Sequence, residues 1–220
     1  MSPGPMQGLR FAHNAILKTT AEIEQAVLGA VTPEVALTLQ PTVDFLAGFI
    51  AVHVAGEEKA LYPPLGERVP HIGDTFLHEH REEENLYAEL RGLIGRVAET
   101  GAERDLQSLR RDVIALRALS DSHVHKENEI VLGLIFEHFD AEAQGAMLGG
   151  ILSVIPPADM PRYVPWIVRC QEDAQAVAYV SILAKSAPAP VFAAARGWIK
   201  GGVDAARWAL LVEKIPALAE

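Results

Sequence analysis

Along most of the first 140 residues, apolar positions recur every three or four residues, the spacing that gathers them on one face of an α-helix. A first helix is predicted over about 9–28, with His13, Ile16, Thr20, Ile23 and Val27 along its stripe. Gly29 punctuates it, and Thr32-Pro33 supplies a capping hydroxyl followed by a proline suited to the first helical position. A second helix should run to about Leu61, bent or restarted at Pro41-Thr42, with a stripe of Leu46, Phe49 or Ile50, His53, Glu57, and Ala60 or Leu61. Tyr62-Pro63-Pro64 ends it. The pattern resumes over about 74–100 and again over 103–139. Four long segments with short connections meet the needs of an antiparallel up-down four-helix bundle, in an all-α protein.

Beyond Asp140 the texture changes. A short helix over about 141–154 is followed by helical pieces broken by Pro156-Pro157, Pro161, Pro165, Pro188, Pro190 and Gly201-Gly202. All three tryptophans lie here and no histidine does. The division expected is a bundle over 1–140 and a helical appendage over 141–220 that packs on it. The appendage either covers a face of the bundle or forms a homodimer interface.

The polar residues that interrupt the apolar stripes carry the chemistry. His13, His53, His80 and His123 each fall on the inward face of a different predicted helix, and three have a glutamate four residues later: Glu57, Glu84 and Glu127. Positions i and i+4 share a helix face, so each pair aims an imidazole and a carboxylate the same way. Phase sets His78, His125, Glu82 and Glu129 outward, and His71 and His138 at the surface or in loops. His123 shares its stripe with Leu116, Ser120, Glu127 and Ile130. Buried imidazoles and carboxylates need compensation, and a metal cluster is the simplest one. Mixed nitrogen and oxygen donors without thiolate suit iron or manganese, with zinc as a structural competitor. Six or seven donors exceed one tetrahedral zinc and fit two metals bridged by carboxylates. Tyr62 and Tyr87 are read as core aromatics before hydrogen-bond donors. No Glu has a His three residues later, so the Glu-x-x-His signature of ferritin-like bundles is absent.

Composition narrows the classes. A net charge of −10 argues against a nucleic-acid partner, which needs clustered Lys and Arg. Half the residues are hydrophobic and only 6% aromatic, in keeping with a helical core. The single cysteine, Cys170, suits a reducing compartment, and the opening MSPGPMQGLR lacks a signal-peptide core. A cytoplasmic protein with no membrane partner is expected.

The segments FAHNAI (11–16), HVAGEEKALYP (53–63), HEHREEENLYAEL (78–90) and SHVHKENEIVLGLI (122–135) resemble the helices of hemerythrin-like, or HHE cation-binding, domains. The likeness covers about residues 8–140. It implies a hemerythrin-like bundle, with His13, His53, Glu57, His80, His123 and Glu127 as ligands of two iron ions, oxo- or hydroxo-bridged. Glu58, Glu83 and Glu84 are further acidic candidates. Oxygen-carrying hemerythrins have a second histidine one turn from the third-helix ligand; here those places hold Phe76 and Glu84. Extra carboxylate favours the ferric state, which points to a centre that binds or reacts with dioxygen, peroxide or nitric oxide rather than a carrier. Whether it turns over as an oxidoreductase stays open. The alternatives are an iron- or oxygen-sensing module and a zinc-stapled structural bundle.

Overall fold

The structure, a computed structural model, describes residues 4–29 and 32–219; the first three residues of the opening MSPGPMQGLR lie outside it. No strand occurs among the described residues. The chain divides into two compact units. One comprises Ile16–Val154 with the N-terminal residues up to Met6; the other comprises Gln7–Ala15 and Ile155–Glu220.

Four long helical segments build the first unit: α1 (Leu9–Leu28), which belongs to it from Ile16 on, α2 (Pro33–Ala60), then, after a short α3 (Tyr62–Arg68), α4 (Asp74–Thr100), and finally α5 (Glu103–Lys126), which continues through one π turn (Glu127–Val131) into α6 (Leu132–His138). Thr32 caps α2 by accepting from the Val35 amide, and Pro33 occupies its first turn. The helix runs through Pro41 without restarting. Pro63 and Pro64 interrupt the ladder after Leu61, yet α3 begins there, because proline is tolerated in a first turn. Gly101, with φ 59°, takes the left-handed turn that ends α4.

Cross-helix hydrogen bonds fix the directions. Along α5, Arg110 bonds the carbonyl of Val27 and Arg117 that of Leu17, so α1 and α5 run opposite ways. On α4, His80 meets Glu58 while Arg91 meets Asp44, so α2 and α4 oppose as well. Ser120 reaches Glu83 and His123 reaches Glu79, which sets α5 against α4. The result is an up-down-up-down bundle.

Helix α7 (Ala141–Leu152) also belongs to this unit, which therefore extends past Asp140 to Val154. It lies so close to α2 that a Cβ on Gly56 would come within 2.9 Å of the Ile151 side chain and 3.1 Å of its backbone. Glycine is what permits that approach, directly beside Glu57. By length and composition Pro33–Arg68 could cross a membrane; the same stretch packs on α4 and holds buried His53 and Glu57.

The second unit holds α8 (Met160–Cys170), α9 (Asp173–Ser186), α10 (Ala189–Gly202) and α11 (Ala205–Lys214). Its core is aliphatic: Val164, Val168, Val180, Ile199, Leu211 and Ile215, among others. Within it Gln171 donates to the Phe11 carbonyl and accepts from Asn14.

Candidate metal centre

Burial sorts the histidines as helical phase does. His13, His53, His80 and His123 are buried, whereas His71, His78, His125 and His138 are exposed. Two of the three His–Glu pairs are buried together. His53 Nε2 lies 3.1 Å from Glu57 Oε1, and His123 Nε2 lies 3.4 Å from Glu127 Oε1. The third pair does not form as expected: Glu84 is exposed, and Glu83 takes the inward place, accepting from the Ser120 hydroxyl at 2.6 Å. At 100° per residue, Glu84 falls about 80° from the line through Phe76 and Glu83 only about 20°, so the centre of the α4 stripe decides between them.

The π turn sits at Glu127. There the Leu132 amide bonds to the Glu127 carbonyl, five residues back. One extra residue enters the turn and the phase beyond it shifts. Ile130, expected inward, is therefore 49% exposed, while Val131 and Leu132 are buried.

Within the first unit, Glu57, His80, His123 and Glu127 each present a donor atom within 4.8 Å of the others. His53 stands in the same relation to Glu57 and Glu127. Two groups of donors thus share two carboxylates, Glu57 and Glu127. His13 is fully buried on α1, in the stretch Gln7–Ala15 that belongs to the second unit. Glu58 lies at the edge, its side chain 42% exposed, and accepts from His80 Nδ1 at 3.1 Å.

Electrostatics shows that these groups fit a cation. Burial, and then the charge of Glu127, push the Glu57 carboxyl well above the usual carboxylate range. Burial also raises Glu83. Burial lowers His80, leaving it neutral; with its Nδ1 proton donated in a hydrogen bond to Glu58, the Nε2 lone pair has no hydrogen-bond partner among the described residues and lies 3.6 Å from Glu57 Oε2. A lone pair facing a carboxyl oxygen in a buried site needs a proton or a metal cation between them. Donors about 2.1 Å from one metal lie roughly 3.0–3.4 Å apart, close to the spacings seen. Burial opposes the charging of His123, but the hydrogen bond and charge of Glu127, with further help from Glu79 and Glu57, raise it to about 10.

The sequence model of the hemerythrin HHE cation-binding domain matches residues 5–135, more than half of the chain. The chain belongs to the hemerythrin HHE cation-binding domain family. Among curated proteins it is similar to the zinc finger protein BRUTUS of Arabidopsis thaliana, 30% identical over 123 residues, which is 56% of this chain and 10% of that protein. The chain thus spans about a tenth of that relative's length. No solved structure matches it. This HHE domain is a metal-binding module with a buried His/Glu cluster.

One contributor escaped the sequence reading, and another takes the second of the two roles considered for it. Tyr62, expected to pack, also donates to Glu127 Oε1 at 2.5 Å, and its ring lies 5.5 Å from Phe76 and 5.9 Å from His80. Burial first, and then the Glu127 and Glu57 charges, push its phenol far above the usual range, so it keeps its proton. Glu79 accepts from His123 Nδ1 at 2.9 Å and is clamped by Lys126. Its place one residue before His80, at the margin of the α4 stripe, is a weak sequence signal. Tyr87 does pack in the core, and its hydroxyl has no hydrogen-bond partner among the described residues.

Proposed function

We propose that the HHE domain holds two iron ions and binds or reacts with a small oxidant, namely dioxygen, peroxide or nitric oxide. The observation that supports this reading is the sharing of Glu57 and Glu127 between His53 on one side and His80 with His123 on the other. Shared carboxylates suit a pair of bridged cations, and imidazole with carboxylate suits iron better than a thiolate-preferring metal. His13, in phase on α1 and matched by the family pattern, is the proposed further ligand. Iron would supply Lewis acidity and electron transfer toward the bound molecule.

The protein's own groups prepare the site. Glu58 keeps the His80 proton on Nδ1, so Nε2 faces inward as a donor. Tyr62 holds Glu127 with a proton that its raised pKa retains. Phe76, stacked on Tyr62 and edge-on to His123, keeps water from these rings. Of the further acidic candidates on α4, Glu83 is the buried one and Glu84 is exposed.

The test is to purify the full chain without oxygen, load it with ferrous iron, and count metal before admitting air. Two irons per chain and a near-ultraviolet oxo-bridged absorption band are expected, with peroxide consumed by the wild type and not by His123→Ala. One zinc per chain, with no uptake of iron, would overturn the reading. Iron binding that shifts tryptophan fluorescence on reduction, without peroxide loss, would make the domain a sensor.

A further inference from the structure

Two carboxylates outside the shared donor groups stand behind the histidines. Glu58 Oε1 accepts from His80 Nδ1 at 3.1 Å, and Glu79 Oε2 accepts from His123 Nδ1 at 2.9 Å. Each is a chain neighbour of a donor on the facing helix: Glu58 follows Glu57 on α2, and Glu79 precedes His80 on α4. Their surroundings differ. The Glu58 side chain is 42% exposed and that of Glu79 only 15%. Lys126 closes on the second oxygen of Glu79. The same ammonium lies 5.7 Å from the centre of the Phe76 ring, which is edge-on to His123.

We propose that Glu79, braced by Lys126, is a positioning residue that sets the tautomer, orientation and donor strength of His123 toward a bound metal, and that its effect exceeds that of Glu58 on His80. A carboxylate behind an imidazole holds the proton on Nδ1 and leaves the Nε2 lone pair for the metal. It also increases the basicity of the ring, which favours the more oxidised metal. Screening by water weakens this effect at exposed Glu58 and spares it at Glu79. Lys126 draws on the charge of Glu79 and so moderates it. Lys126 and Glu79 therefore act on the centre with opposite signs, which a purely structural clamp would not do.

The role presupposes a metal at the centre but not that the metal is iron, so the test has two arms. In the first, full-length Glu79→Gln, Glu79→Asp and Glu58→Gln are titrated with zinc against a chromophoric chelator, with circular dichroism confirming the fold. Glu79→Gln should lose about 10–100-fold in affinity, as partners of metal-bound histidines do. Glu79→Asp should recover part of that loss, and Glu58→Gln should lose less than Glu79→Gln. The zinc-loaded wild type should also show a slowly exchanging imidazole N–H proton that Glu79→Gln removes. In the second arm, on iron-loaded protein, Glu79→Gln should raise the midpoint potential and Lys126→Met should lower it. Wild-type zinc affinity in Glu79→Gln, a larger loss in Glu58→Gln, or potential shifts of one sign would overturn the proposal. A positive zinc arm in a protein that takes up no iron would leave Glu79 in its role and sink the iron reading alone.

Discussion

The two compact units are made of similar amphipathic helices, but their interiors bury different things. Around Val168, Val180, Ile199 and Leu211 the C-terminal unit buries aliphatic side chains that need only shape and exclusion of water. Around Glu57 the HHE unit buries His53, His80, Glu83, His123 and Glu127, each of which loses hydration on folding. The first interior gains stability from what it buries. The second gives some up, which hydrogen bonds from Tyr62 and Ser120 offset in part and a bound cation would offset further. Helical patterning alone does not separate the two; the chemical identity of a few inward residues does.

The largest effect that would test this contrast is on metal content. Glu57→Ala removes a carboxylate that both donor groups share, and should cost at least about half the bound metal by elemental analysis. His78→Ala, on the exposed face of the same bundle, should cost none. Equal losses would break the distinction between inward and outward histidines. Next is Ile199→Ala, at a fully buried aliphatic site. It should destabilise the protein by about 2–5 kcal/mol in chemical denaturation and leave the metal count of folded protein unchanged.

A smaller effect has the opposite sign. Glu57→Leu in metal-free protein removes a buried, strongly perturbed carboxyl, and should raise stability by about 1–3 kcal/mol while abolishing metal uptake. A loss of stability there would mean that the carboxyl is already compensated without a cation.

The smallest effect expected is on pH dependence. In metal-free protein the folded-state pKa values of His123, Glu57 and Glu83 are all raised. Raised groups contribute stability below their unfolded values and lose it as pH climbs through the folded ones. The melting temperature of metal-free protein should therefore fall as pH rises from about 6.5 towards about 10, the ordinary and shifted values of His123. Metal-loaded protein should show a flatter profile and release protons on loading, since its ligands bind deprotonated. A metal-free profile rising over that window would contradict the electrostatics of the site.

His53 and His123 were legible because each is surrounded in phase by apolar residues and by a glutamate exactly one turn on, at Glu57 and Glu127. His80 was legible for the first reason alone. Glu84 misled because i+3 and i+4 are both neighbours on a helix, and only the full run from Phe76 to Val97 shows which side of His80 is the centre of the stripe. Ile130 misled because a π turn leaves no sure mark in residue spacing, yet it rotates everything after Glu127. Glu79 gives no clear sequence signal and Tyr62 reads as a packing ring before a donor, since their partners, His123 and Glu127, are 44 and 65 residues away.

Local information in the chain sufficed for the helices, for the sorting of histidines into buried and exposed, and for membership of the HHE family. Those properties depend on periodicity and on residue type within a few turns. Tertiary structure decided which glutamate accompanies His80, which carboxylates stand behind the imidazoles, and where α7 packs. Each of these depends on distances between helices, which side-chain volumes, a glycine at 56 and one π turn set together.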